Sequence, residues 1–316
     1  MSALDQKLAA ALASREDRGI RRRLPAPSLS LLPSTPGITS DHAFDVSSDV
    51  PAAVPVTVSS PTITVASTSA AAAAAASAQP APSPSRAATP PADFSSNDYL
   101  SLSTSPLLRA RVLAALTASP ASLGSGGSRL LVYNHAHAAL EARLARTFRA
   151  PAALLFNSGF DANAGFFACV PQPGDALLYD AAIHASVHDG ARASRLAPRF
   201  CRPFAHNDLR ALRAALRTLR DESVALKEGE SSVFVAVESV YSMDGTVAPL
   251  RAMIDTMDEI FPARNAHLVV DEAHATGIYG PGGRGMVAQL GLEDRVLARL
   301  HTFGKALAAS GGTFNF

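Results

Sequence analysis

The chain has 316 residues, a net charge of +1, 47% apolar residues and 17% charged ones. This composition suits a soluble protein with a core large enough for one or two domains, and its charge balance gives no pull towards nucleic acid or an anionic membrane. No run of about eighteen apolar residues occurs outside an alanine tract, so no membrane span is expected, and the two cysteines, Cys169 and Cys201, lack metal or redox spacing and fit a reducing compartment.

Residues 1–26 read as one amphipathic helix. Leu4, Leu8, Leu12 and Ile20 recur at roughly helical spacing, and Arg21-Arg22-Arg23 closes the pattern before Pro25. Taken alone, the arginine triplet is a solvated basic helix end. Asp5, Glu16 and Asp17 argue against a transit peptide, and no signal-peptide core is present. A cytoplasmic location is the expectation, with peroxisomal and mitochondrial addresses left open. From residue 27 to 92 the composition collapses into Pro, Ser, Ala, Thr and Val, with no charge from Val50 to Ser85 and a homopolymer from Ala70 to Ala76. Too few large apolar groups are present to offset the entropy of ordering, so this segment is expected to be a disordered insertion.

Order resumes at Asp93. Strand-like runs follow at Ala152–Phe156, Ala176–Tyr179, Val233–Val237, His267–Asp271 and Val296–Phe303. Helical patterns lie between them, notably Ala138–Phe148, Asp208–Leu219 and Leu250–Ile260. That alternation predicts βαβ units and a mainly parallel sheet buried on both faces. Ligands of such sheets bind beyond the carboxyl ends of the strands, and both Asp271 and Lys305 fall at or just after such an end.

Lys305 is one of only three lysines; the others, Lys7 and Lys227, sit in polar contexts. An amine after one strand and a carboxylate at the tip of another form the pair that pyridoxal 5'-phosphate (PLP) requires. The amine makes a Schiff base with the aldehyde, and the carboxylate keeps the pyridine nitrogen protonated. Asp271-Glu272-Ala273-His274 also spells a helicase acidic box, but a helicase needs a phosphate loop upstream. The one Gly-Lys pair, Gly304-Lys305, lies downstream, is followed by Ala306, and has Arg299 where the loop's first glycine belongs. Gly124-Ser125-Gly126-Gly127-Ser128-Arg129 lacks dinucleotide spacing and reads as a plain turn as readily as a cofactor loop. Asn157-Ser158-Gly159-Phe160 stands between a strand and a helix, where backbone N–H groups favour a phosphate, although an ordinary turn is the simpler reading. His184 and His274 lie at strand ends, one suited to stacking on a pyridine ring and one to bonding its phenolic oxygen. Zinc-ligand spacing and a Gly-x-Ser-x-Gly nucleophile elbow are both absent. The run Glu238 to Gly245 offers a further hydroxyl.

Together these motifs resemble the α-oxoamine synthases, PLP enzymes that join an amino acid to an acyl-CoA with loss of carbon dioxide. The matching segments are Asp93 to Leu100, Gly124 to Leu131, Ser158-Gly159-Phe160, Phe204-Ala205-His206-Asn207-Asp208, Glu238 to Gly245, Val270 to Gly277 and Thr302 to Ala306, in family order. The Gly124–Arg129 and Phe204–Asp208 forms look most like members that condense alanine with a pimeloyl thioester in biotin synthesis. The run Glu238 to Gly245 is shared with members that use glycine and succinyl-CoA.

The resemblance implies the fold-type I large domain, a three-layer α/β architecture on a mainly parallel sheet, in a homodimer that takes small-molecule substrates (an amino acid and an acyl-CoA) and neither nucleic acid nor membrane. It implies that Lys305 carries the Schiff base and removes the α-proton, that Asp271 pairs with the pyridinium, and that His184 stacks on the ring. His274 and Ser242 would bond the phenolic side, Gly159, Phe160 and Thr302 would seat the cofactor, and Arg21 would clamp a substrate carboxylate. Four departures stand out. Val132-Tyr133-Asn134-His135 replaces the usual Ser-Gly-Asn-His, Ala275 and Ala308 replace glycines, and residues 27–91 extend a short connection. Residues 311–316 also leave the family pattern and end at Phe316. The expectation is therefore a large domain lacking its last strand and a C-terminal domain, in an enzyme of this family; the alternative is a truncated, non-catalytic fragment whose sheet has an open edge.

Overall fold

The computed structural model describes residues 3–19, 21, 93–119, 124, 126–131 and 134–316. The segment 27–92, read above as a disordered insertion, lies outside them. Helix α1 (Ala3–Asp17) and residues 95–316 belong to one compact unit. The helix expected over 1–26 is shorter than its pattern: Gly19 adopts φ +64°, its N–H bonds the Glu16 carbonyl, and the helix is over. Leu4 is buried in the core. Lys7 Nζ reaches the fully buried Asp175 carboxylate at 2.7 Å and Ser231 Oγ at 2.8 Å, which pins α1 to the domain.

After α2 (Pro106–Ala118), which buries none of its residues, and α3 (His135–Thr147), the chain alternates as its sequence pattern predicts. The elements are β1 (Ala153–Phe156), α4 (Gly159–Cys169), β2 (Ala176–Asp180), α5 (Ala185–Ala193), β3 (Cys201–Phe204), α6 (Leu209–Glu222), α7 (Val224–Lys227), β4 (Val233–Glu238), α8 (Leu250–Ile260), β5 (Ala266–Asp271), α9 (Met286–Gln289), β6 (Ala298–Thr302) and β7 (Gly312–Asn315). The strands make one seven-stranded sheet in the order β1-β7-β6-β5-β4-β2-β3. All pairs are parallel except those of β7, which runs antiparallel to β1 and to β6.

Alternate side chains face opposite layers, as a sheet buried on both sides requires. Val233, Val235, Val237, Leu268 and Val270 pack with Leu212, Leu216 and Leu219 of α6 and with Met253 and Met257 of α8. Phe234, Ala236, Val269, Leu300 and Phe314 pack on the other face with Ala162, Phe166 and Phe167 of α4 and Val187 of α5. Helices α4 and α5 touch closely at Gly190, where a β-carbon would come within 2.8 Å of Phe167 Cβ. Asp208 caps α6 by accepting the Arg210 and Ala211 N–H groups. Among the described residues no helix is long and apolar enough to cross a membrane.

The expected open edge is not found. Gly312–Asn315 forms β7 inside the sheet, between β1 and β6, so the edges are β1 and β3. Phe314 projects into the core and Thr313 and Asn315 to the other face, and four register pairs on each side bind the strand to its neighbours.

Candidate active site

Three neighbouring strands end at the same level: Glu238 closes β4, Asp271 closes β5 opposite it in register, and β6 runs on through Thr302 to Lys305. Facing them are the first turn of α4 and the first residue before α5. Between these elements lies a pocket of about 290 Å³. Gly159, Phe160, His184, Asp271, His274, Thr302 and Lys305, scattered over 147 positions (305 − 159 + 1), all line it.

Asp271 is held rigidly. Its Oδ1 accepts the Ala273 N–H at 2.9 Å, and its Oδ2 accepts from Asn163 Nδ2 at 2.8 Å. The same amide of Asn163 donates to Ser186 Oγ at 3.0 Å, and Ser186 Oγ lies 2.8 Å from His184 Nδ1. A relay of hydrogen bonds thus joins the strand-end carboxylate to the imidazole at the α5 N-terminus. His184 Nδ1 also accepts the Ser186 N–H at 3.2 Å, which assigns the proton of the neutral ring to Nε2. The edge of Phe160 meets this ring at a centroid distance of 5.9 Å.

Burial drives the Lys305 amine below the ordinary lysine value, against the opposite pull of the Asp271 and Glu238 carboxylates. A larger share is therefore the neutral amine, the form that attacks carbonyl carbon. Burial pushes the Glu238 carboxyl up to about 8, helped by Asp271 and opposed by Lys305 and by the backbone N–H groups of Ser242 and His184. Burial, with Lys305 and His184 close by, takes His274 down to about 4, and its Nδ1 shares a 2.7 Å hydrogen bond with the Tyr99 hydroxyl.

At the start of α4, Ser158 caps the helix and Gly159 places no side chain between its backbone and Thr302. A β-carbon there would stand 3.1 Å from Thr302 Cβ and 3.2 Å from its Oγ1. The pocket therefore has a helix N-terminus without a side chain in the way, which suits a phosphate. It also has a buried carboxylate for a protonated ring nitrogen, an amine of lowered basicity and a ring-bearing wall. Glu238 Oε1, buried, has no hydrogen-bond partner among the described residues. These are the groups that PLP needs, and the residues fit it.

Residues 89–315 match the family model described as aminotransferase class I and II. The chain belongs to the aminotransferase class I and II family. It is 53% identical over 222 residues to an 8-amino-7-oxononanoate synthase of Emericella nidulans, covering 69% of this chain and 53% of that protein. It is 46% identical over 221 residues to the aminoacyl transferase sphA of Aspergillus fumigatus, covering 69% and 47%. Among solved structures, a serine palmitoyltransferase from S. paucimobilis with PLP bound superposes with a TM-score of 0.60 at 29% identity, over 70% of this chain and 53% of that one. An 8-amino-7-oxononanoate synthase from Francisella tularensis gives 0.52 at 26% identity, over 70% and 57%. These neighbours set the sheet among the fold-type I PLP-dependent transferases. The chain spans about half the length of the curated relatives it matches.

Two residues singled out for this family site do not line the pocket. Ser242 is exposed and contributes through its backbone N–H to Glu238. Arg21 Nη1 pairs with Glu16 Oε2 at 3.0 Å. Asn163, Ser186 and Glu238, by contrast, line the pocket and were not singled out as site groups. One signal was available for Asn163, which lies four positions after Gly159 and so on the same face of α4. For Glu238 it was a carboxylate at a strand end, the position that marks Asp271.

Proposed function

We propose that this chain carries the PLP-binding core of an α-oxoamine synthase that condenses L-alanine with a pimeloyl thioester, on coenzyme A or a carrier protein, to 8-amino-7-oxononanoate in biotin synthesis. The observation that carries the reading is the convergence of Lys305, Asp271 and His184 on one pocket beyond the carboxyl ends of β5 and β6. The 53% identity to the Emericella nidulans synthase supports the choice of substrates.

When bound, PLP supplies an electron sink that makes the amino acid's α-carbon nucleophilic. Lys305 Nζ would hold the cofactor covalently and, as the free amine, would take the substrate's α-proton. Asp271, locked by Asn163 and Ala273, keeps a proton on the pyridine nitrogen. His184, steadied by Ser186, covers one ring face. The N–H groups at Gly159 and Phe160, with Thr302, would hold the phosphate end, while His274 would attend the phenolic oxygen; the exposed Ser242 lies outside the pocket lining. Arg21 takes the substrate carboxylate, which must then displace Glu16 from the guanidinium. The reaction so supported would join the substrate α-carbon to the acyl carbon of the thioester, with release of the thiol and of the amino acid's carboxyl group as carbon dioxide. The reading includes a homodimer and a cytoplasmic location.

The 46% identity to sphA favours a second reading, a sister synthase with another amino acid and acyl donor. Added PLP should give the purified protein a visible absorbance band that borohydride bleaches, and Lys305→Ala should lose the borohydride-fixed adduct. A variant that retains it would overturn the assignment. Thiol release with alanine and pimeloyl-CoA, compared with glycine and succinyl-CoA, then separates the substrate readings.

A further inference from the structure

Glu238 has no part in the reaction so far described, yet it lines the pocket and is only 2% exposed. It stands directly opposite Asp271 in the β4–β5 register. Two carboxylates on neighbouring strand ends repel each other when both are ionised. Asp271 is the better supported as an anion, since it accepts both Asn163 Nδ2 and the Ala273 N–H. Glu238 receives the backbone N–H groups of His184 and Ser242, which leave its Oε1 without a partner. A buried polar atom in that condition is destabilising unless something meets it.

The sheet order says what stands there once PLP is in place; this step rests on the cofactor reading above. The PLP ring carries its aldehyde at C4, with the phenolic oxygen on C3 to one side and the phosphate arm on C5 to the other. Asp271 on β5 takes the ring nitrogen, at the end opposite the aldehyde. The phosphate lies towards the α4 start and Thr302, which is the β6 side. The phenolic oxygen therefore points to the β4 side, where Glu238 ends its strand. An ionised carboxylate can only accept hydrogen bonds, whereas a neutral carboxyl group can donate one.

We propose that Glu238 is a cofactor-binding residue that stands neutral and donates its Oε1 hydrogen to the phenolic oxygen of PLP. The groups facing it are consistent with this state. Asp271 on β5 disfavours a second anion, and Lys305 beyond β6 is a cation that acts against this. Burial places its loss of the proton at about 8, so the bond is available near neutrality and is given up in mild alkali. Above that point the ionised Glu238 would repel both Asp271 and the phenolate.

PLP binding by the full chain is the test, read as a dissociation constant near neutrality and at pH ~9. Wild type should bind more weakly at the higher pH. Glu238→Gln, which keeps a donor that cannot ionise, should match wild type to within about threefold near neutrality and exceed it on the order of tenfold at pH ~9, the change expected for one unit beyond the titration. Glu238→Ala should bind on the order of tenfold more weakly than wild type near neutrality, and that difference should vanish with a PLP analogue lacking the C3 oxygen. Parallel alkaline weakening of wild type and Glu238→Gln, or an alanine effect that persists with the analogue, would overturn the proposal. If the glutamine variant fails to fold, wild-type affinity that stays flat through about 8 overturns it as well. Wild type that takes up no PLP removes the cofactor reading and this inference together; the other outcomes leave that reading intact.

Discussion

At Gly159 a single hydrogen leaves room for Thr302, and these are the two residues proposed to hold the phosphate end of PLP. A methyl group there would press on Thr302 Cβ and Oγ1 at 3.1 and 3.2 Å, and on its other side the backbone of Gly312 packs against this glycine. Gly159→Ala should therefore weaken PLP roughly tenfold or more while costing about 1–3 kcal/mol in stability, the usual range for overpacking. Fluorescence titration with PLP, beside a urea melt, checks it; unchanged affinity would show that the phosphate sits elsewhere. Residues such as Lys305, Asp271, His184 and His274 were legible because a reactive group just past an apolar run falls at the rim of a parallel sheet. Asn163 was not, because its partner Asp271 lies 108 positions away and only the packing of α4 on the sheet brings them together. Glu238 was passed over for another reason: its neighbours in sequence offered hydroxyls, and its carboxyl gains meaning only from the register with Asp271.

Among the elements, five of the seven strands and α8 were readable because their apolar runs and 3.6-residue pattern are strong. β3 and β7 were not. β3 contains Pro203 and sits at an edge, where a missing N–H is tolerated. β7 is four residues of Gly-Thr-Phe-Asn, with one large apolar side chain, and its conformation is set by neighbours distant in sequence. Phe314 supplies most of its grip: the side chain is fully buried, stacked on Phe166 at 4.7 Å and edge-on to Phe156 at 6.4 Å. Phe314→Ala should cost about 3–5 kcal/mol, seen as a lower urea midpoint. A loss below about 1 kcal/mol would mean that β7 is not built into the sheet. α1 shows the reverse error, since its apolar spacing runs on past the residue where Gly19 turns the chain.

For the molecule as a whole, buried titratable groups set the response to pH. His301, fully buried and stacked on Phe148 at 3.7 Å, is driven well below the ordinary imidazole range by burial, with Arg299 adding to it. A depressed histidine binds fewer protons in the folded state than in the unfolded one, so its contribution is complete above pH ~6.5 and is lost as the pH falls below that. Glu272, buried and raised, has the opposite sign, so only a variant isolates one group. His301→Phe keeps the stack and removes the titration, at the expense of the 2.9 Å contact with Thr276. Urea midpoints at pH ~6.5 and ~4.5 should fall less for the variant than for wild type; equal falls would refute this source of acid sensitivity. The antiparallel strand β7, finally, governs the order of assembly. β1 and β6 have no direct ladder, and Ala153 meets the sheet only through Asn315. A chain emerging from the ribosome therefore holds β1 unpaired and β6 paired only on its β5 side until residues 312–315 arrive. Closing so long a loop is slow, and during that wait the exposed ladders on β1 and β6 are the surfaces that a chaperone, or an aggregate, would find first.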